Sequence, residues 1–213
     1  MAKKLPVYLL LDTSGSMMGE PIEAVKNGVQ VLVSALRQDP IALETAYLSI
    51  ITFDSDAKQV VPLTDLQSFQ IPELVSSGST NLGDALSLLC DCKNREVTKS
   101  TPERKGDWKP MVFIMSDGAA DSGWESGLQK FKKEKWGVVV GVGLGDSFGS
   151  TLEQICGKEN MVHVKDTDSS SIAKFFKWVS ASISTTSTKV EANQGEVSAM
   201  SQLPPPPTDF QLT

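Results

Sequence analysis

Long apolar runs, clustered positive charge, histidine and paired cysteines are all scarce in this chain, and each scarcity removes a class of function. The longest apolar runs reach about 7 residues, against the roughly 18 needed to cross a bilayer, so neither a membrane span nor a membrane partner is expected. Met1-Ala2-Lys3-Lys4 is basic, but the apolar run after it is short and reaches Asp12 without a small-residue cleavage pattern. Secretion by that route is not expected, and the cytoplasm is the expected location. Three cysteines, Cys90, Cys92 and Cys156, form an odd set without metal-site spacing and read as free thiols of a reducing compartment. His163 is the single histidine and sits in the strand-like Met161-Val162-His163-Val164, which leaves zinc little to bind and gives the ring a structural role. The formal net charge is -6, and the one basic run, Lys130 to Lys135, is broken by Phe131 and Glu134, as on a solvated helix face. Nucleic acid is therefore not the expected partner, because phosphate binding draws on clustered Lys and Arg.

What is present is an ordinary globular composition, 40% hydrophobic and 22% charged, over 213 residues, enough for one domain and a tail. Leu5 to Leu11 is continuously apolar, as a central parallel strand covered on both faces requires. Pro21 suits the first turn of a helix, and Ile22, Val25, Val29, Leu32, Val33 and Leu36 recur at helical spacing to give one apolar stripe over Glu20 to Leu36. Thr45 to Phe53 reads as a strand. Ala57 to Leu63 reads as a more polar strand returning antiparallel at an edge, where Pro62 is tolerated. Leu82, Ala85, Leu86 and Leu89 mark a second helix, capped by Thr80 or Asn81, and a polar loop runs from Lys93 to Lys109. Then come the strand Met111 to Met115, a helix through Trp124, Leu128 and Phe131, the strand Gly137 to Val142, and a short helix at Leu152 and Ile155. The strand Met161 to Val164 and an amphipathic helix through Ile172, Phe175, Phe176, Val179 and Ile183 complete the pattern. This alternation predicts an α/β fold with a doubly wound, mostly parallel central sheet, one antiparallel edge strand and helices on both faces. Residues 1–185 form that domain. Residues 186–213 turn polar and then Pro-rich at Leu203-Pro204-Pro205-Pro206-Pro207, and are expected to be a flexible tail with a short polyproline II segment.

Three elements end in oxygen-rich turns at the carboxyl side of the predicted sheet: Asp12-Thr13-Ser14-Gly15-Ser16, Ser77-Gly78-Ser79-Thr80 and Ser116-Asp117-Gly118. In open α/β sheets that edge is where ligands bind. Alternate residues Asp12, Ser14 and Ser16 can turn their side chains toward one point while Gly15 relieves the backbone, and Thr80 and Asp117 can close the site from neighbouring loops. Hard oxygens grouped in this way suit Mg²⁺. Taken singly, Ser14 and Ser16 are also what helix caps need, and Asp117-Gly118 is an ordinary turn pair. That simpler explanation leaves the convergence of three loops without a cause. Asp54, Asp56 and Asp84 read as turn and helix-start carboxylates, and Met17 and Met18 as either core packing or rim contacts for a partner.

With these residues in this order, the chain resembles the von Willebrand factor type A (VWA) domain, whose metal-ion-dependent adhesion site (MIDAS) consists of Asp-x-Ser-x-Ser, a distant Thr and a distant Asp. The resemblance covers Leu5 to Ser184. It implies that Ser14 and Ser16 bind a metal directly, that Thr80 does so in one state, and that Asp12 and Asp117 act through water. Mg²⁺ is the implied ion, with Mn²⁺ or Ca²⁺ as alternatives. Neutral hydroxyls in front of the carboxylates leave the ion electrophilic, so that a partner protein's Asp or Glu can fill an open position. The implied activity is protein binding as an adaptor or scaffold, without catalytic base or nucleophile and so not as an enzyme. Within the family, Leu5-Pro6-Val7-Tyr8-Leu9-Leu10-Leu11 leading into the motif, Gly19-Glu20-Pro21-Ile22, Thr52-Phe53, Leu63 and Gly78-Ser79-Thr80-Asn81-Leu82-Gly83 look most like the bacterial tellurium-resistance-type proteins. That likeness implies a cytoplasmic stress or metal response, with a protein kinase and a PP2C-type phosphatase as partners.

The competing expectation is a nucleotide- or phosphoester-processing α/β enzyme on the same metal site. Gly141, Gly143 and Gly145 miss the dinucleotide fingerprint and fall late in the chain, where a strand ending in a turn explains them. Were Asp12 the nucleophile of a haloacid-dehalogenase-like phosphatase, Ser14 would stand where such enzymes need a second acid.

Overall fold

The computed structural model describes residues 3–118, 120–145 and 150–212. Its centre is β1 (Leu5–Asp12), buried at all eight positions. Alternate side chains serve two cores: Leu5, Val7, Leu9 and Leu11 face one cluster, and Tyr8 and Leu10 face the other. Two-sided burial is why the strand carries an unbroken apolar run.

From β1 the chain passes through α1 (Glu20–Arg37) and the short α2 (Pro40–Thr45) into β2 (Ala46–Phe53), which pairs parallel with β1, and β3 (Ala57–Asp65), which returns antiparallel. Helix α3 (Leu82–Glu96) leads to β4 (Met111–Ser116) on the other side of β1, followed by α4 (Glu125–Lys132), β5 (Val139–Leu144), α5 (Ser150–Cys156), β6 (Met161–Val164), α6 (Ser169–Glu191) and β7 (Gln211–Leu212). The sheet order is β3-β2-β1-β4-β5-β6-β7. Helices α1, α2 and α6 cover one face, and α3, α4 and α5 the other. Because β1 exits toward the first face and its neighbour β4 toward the second, a crevice opens between their carboxyl ends. Gly28 in α1 admits α6 closely: a Cβ there would lie 2.1 Å from the Phe176 ring.

The doubly wound sheet with an antiparallel edge matches the sequence expectation, and three details differ. Six-residue α2, held by Asp39 capping Ile41 and Ala42 through their N–H groups, is too short for periodicity to reveal. Helix α6 continues to Glu191, because Thr186, Ser187 and Val190 are buried despite their small or polar side chains. Residues expected as a flexible tail are laid back on the domain. Val197, Met200, Leu203 and Phe210 enter the first core, Trp178 Nε1 donates to Pro204 O at 2.8 Å, and β7 pairs antiparallel with β6. The sheet thus has, among the described residues, seven strands and an antiparallel strand at each edge. Among the described residues no helix is long and apolar enough to cross a membrane.

Candidate metal centre

The crevice between β1 and β4 is lined by hydrogen-bonded carboxylate and hydroxyl groups. Asp12, the last residue of β1, is fully buried. Its Oδ1 accepts from the N–H of Ser14 at 2.8 Å, and its Oδ2 accepts from the Ser116 hydroxyl at 2.5 Å. The Ser14 and Ser16 hydroxyls lie 3.0 Å apart, and Ser16 Oγ donates to Asp117 Oδ1 at 2.8 Å. Asp12, Ser14, Ser16 and Asp117 are therefore brought together at the carboxyl ends of β1 and β4.

The loop carrying Thr80 is fastened to the first loop by its backbone. Ser77 N donates to Thr13 O at 2.8 Å, Gly15 N donates to Gly78 O at 3.0 Å, and the Ser76 hydroxyl donates to Ser14 O. Gly78 is required there: its φ is +70°, and a Cβ would lie 2.2 Å from Ser55 Oγ. Thr80 O accepts from Asp121 N at 3.0 Å, which ties this loop to the segment after β4. The backbone brings Thr80 to the same end of the sheet; among the described residues no side-chain hydrogen bond joins it to the other four. Asn81 caps α3, its side chain accepting from Asp84 N.

Electrostatics mark the crevice as short of positive charge. Burial pushes the Asp12 carboxyl above the usual carboxylate range, and the nearby Asp117 charge adds to this, while hydrogen bonds from Ser116 and Ser14 act in the opposite direction. A divalent cation in contact with these oxygens would supply the missing charge. The donor set fits a hard ion of the Mg²⁺ type, being oxygen throughout. Among the described residues no group of three or more His, Cys, Asp or Glu side chains could hold a metal, so an ion in this crevice must rely on the hydroxyls.

Other residues take the bland roles. Asp54 Oδ1 accepts from Asp56 N at 3.0 Å in a turn, and Asp84 stands at the start of α3 beside Asn81 Nδ2 at 2.8 Å. Met17 is core and Met18 is exposed. His163 Nε2 lies 2.5 Å from Gly145 O. The three thiols are buried and free, and burial pushes Cys90 up to about 11 and Cys156 up to about 12. Sequence reasoning assigned no role to Ser116 or Ser76. A serine closing the apolar run of β4, directly before Asp117, was the available signal for the first, and nothing in the sequence distinguishes the second.

A doubly wound sheet with a cluster of hydroxyls and carboxylates at its switch point defines a class of α/β domain. Within that class, this chain belongs to the von Willebrand factor type A domain family, whose model matches residues 7–178. It is 30% identical over 128 residues to an uncharacterized protein of Synechocystis sp., a match covering 57% of this chain and 27% of that one. Among solved structures it is similar to proximal thread matrix protein 1 from the mussel byssus with a zinc-occupied MIDAS motif, at TM-score 0.61 and 20% identity, over 84% of this chain and 48% of that chain. A von Willebrand factor type A protein from Catenulispora acidiphila superposes at TM-score 0.64 and 15% identity, over 86% of this chain and 43% of that one. The chain thus spans less than half the length of each of these proteins. At such identities the structural likeness establishes the fold.

Proposed function

We propose that this domain is a divalent-metal-dependent protein-binding module whose ion is held by Ser14, Ser16 and Thr80, with Asp12 and Asp117 behind them. The observation that carries it is the set of hydrogen bonds that gathers Asp12, Ser14, Ser16 and Asp117, with Asp12 accepting from the Ser14 N–H and the Ser14, Ser16 and Asp117 side chains meeting one another, beside a buried carboxylate. The zinc-occupied MIDAS motif of the mussel protein supports metal binding at such a site, with Mg²⁺ the ion proposed for this chain. When bound, the ion supplies an electrophilic position for an oxygen ligand from outside. The residues of this chain orient one another, exclude water from Asp12 and keep the inner donors neutral, so the outer position favours a carboxylate from a partner's Asp or Glu. Adaptor work in a cytoplasmic tellurium-resistance-type stress system, beside a protein kinase and a PP2C-type phosphatase, is the finer proposal. It is supported by the sequence likeness around Gly19-Glu20-Pro21-Ile22 and Gly78-Ser79-Thr80-Asn81.

Affinity capture tests this function. Protein retained on the immobilised domain in Mg²⁺ is expected to elute with EDTA and to be absent from Asp12→Ala and Thr80→Ala columns. Retention indifferent to chelator and to both substitutions would put binding on another surface.

A further inference from the structure

Four large hydrophobic side chains stand in solvent among the described residues: Met18, Val60, Ile71 and Val75. The two most exposed, Met18 at 68% and Val75 at 66%, belong to the two segments that frame the candidate metal centre. Met18 lies two residues past Ser16, and its N–H donates to Gly15 O at 3.2 Å. Val75 directly precedes Ser76, whose hydroxyl donates to Ser14 O, and Ser77, whose N–H donates to Thr13 O at 2.8 Å. Each is the outward half of a doublet whose inward half is buried, Met17 beside Met18 and Leu74 beside Val75. The inner residues anchor the loops in the core. The outer residues contribute little to folding, since their apolar surface stays in water. Single exposed hydrophobics need no explanation, but these two stand on segments that are hydrogen-bonded to each other at Thr13 and Ser14.

We propose that Met18 and Val75 form an apolar rim that selects, among carboxylate-bearing protein loops, those with a bulky apolar side chain within three residues of the acid. This rests on the metal-dependent capture of a carboxylate proposed above. Charge favours that occupant over a polyanion. Asp54 Oδ2 takes a 3.4 Å contact from Ser77 Oγ, and Asp117 holds Ser16, so a multiply charged phosphate would meet fixed negative charge that a single carboxylate on the ion meets less strongly. With only one charge to anchor it, a partner loop gains further affinity from apolar contact. The flexible Met18 side chain adapts to such contacts.

Phage-displayed peptides with a fixed central Glu and three randomised residues on each side, selected on the wild-type protein in Mg²⁺, provide the test. A matched library with Gln at the centre is the control. Enrichment of Leu, Ile, Phe or Met near the Glu is expected. A synthetic copy of a selected peptide should bind Met18→Ser/Val75→Ser protein about tenfold more weakly, about 1.4 kcal/mol, while the variant's Mn²⁺ affinity by calorimetry stays at the wild-type value. Selected peptides without apolar bias, or equal binding to both proteins, would overturn the rim and leave carboxylate capture standing. Equal selection from the Gln library, or binding that survives EDTA, would overturn the metal-dependent function on which the rim depends.

Discussion

The Ser116 hydroxyl donates to Asp12 Oδ2 at 2.5 Å, joining the carboxyl ends of adjacent parallel strands β1 and β4 beneath the candidate metal centre. Both residues are buried. Their contact fixes the orientation of a carboxylate that is fully buried.

Ser116→Ala should therefore weaken metal binding without unfolding the domain. Partners that orient a ligand typically contribute 10- to 100-fold to metal affinity, so a loss of roughly tenfold or more in Mn²⁺ affinity is expected by calorimetry. An unchanged affinity would mean that Asp12 needs no such support.

Asp12→Asn should separate stability from metal response. Removing a buried charge from the metal-free protein should leave its melting temperature at or above the wild-type value, because the desolvation cost disappears. Millimolar Mg²⁺ should raise the melting temperature of wild type and leave the variant where it was. A variant that still gains stability from Mg²⁺ would contradict the placement of the ion.

Much of the architecture is legible in the sequence for an identifiable reason. Strands β1 and β4 are covered on both faces, so their apolar runs are unbroken, and the stripe of α1 repeats over a long helix. The C-terminal segment is illegible for the opposite reason. Val197, Met200, Leu203 and Phe210 stand singly among Ser, Gln and Pro, and what buries them, Phe175 and Trp178 among others, lies far back in α6. The candidate site divides in the same way. Asp12, Ser14 and Ser16 declare themselves by spacing, whereas Ser116 and Ser76 acquire a role only when separate segments are brought side by side.

The C-terminal segment should accordingly carry stability. Phe210 is buried, with its ring 6.5 Å from that of Phe175, so Phe210→Ala is expected to cost about 3 kcal/mol in urea denaturation. Stability within 0.5 kcal/mol of wild type, roughly the scatter of neutral surface substitutions, would mean that the segment does not dock.

Acid should weaken the contact between α3 and the segment that follows α4 through Glu134. Its hydrogen bonds from Lys93, at 2.5 Å, and Asn94 hold its carboxyl below the ordinary value of 4.5. A depressed folded-state value means the stabilisation is present above pH 4.5 and is lost as the pH falls through the folded value. Wild type should thus be more stable than Glu134→Gln at pH 7, by an amount kept small by partial exposure, and the difference should shrink as the pH falls below the ordinary value of 4.5. A difference that grows toward acid would reverse the sign and refute the assignment.

The buried thiols give a check on the fold itself. With Cys90 pushed up to about 11 and Cys156 to about 12, little thiolate exists at neutral pH, and Cys92 is raised in the same direction by burial. Ellman's reagent should leave the native protein unmodified over minutes and titrate all three thiols in denaturant. Rapid native labelling would show that the α3 and α5 packing is looser than described.

Calorimetric titration of the metal-free domain with Mn²⁺, for wild type and a Ser14→Ala/Ser16→Ala variant, tests the central claim most directly. The expected result is one saturable site in the wild type and at least about a tenfold loss in the variant, whose circular dichroism and melting remain native. Equal affinity in the two proteins would contradict a metal centre built on these hydroxyls.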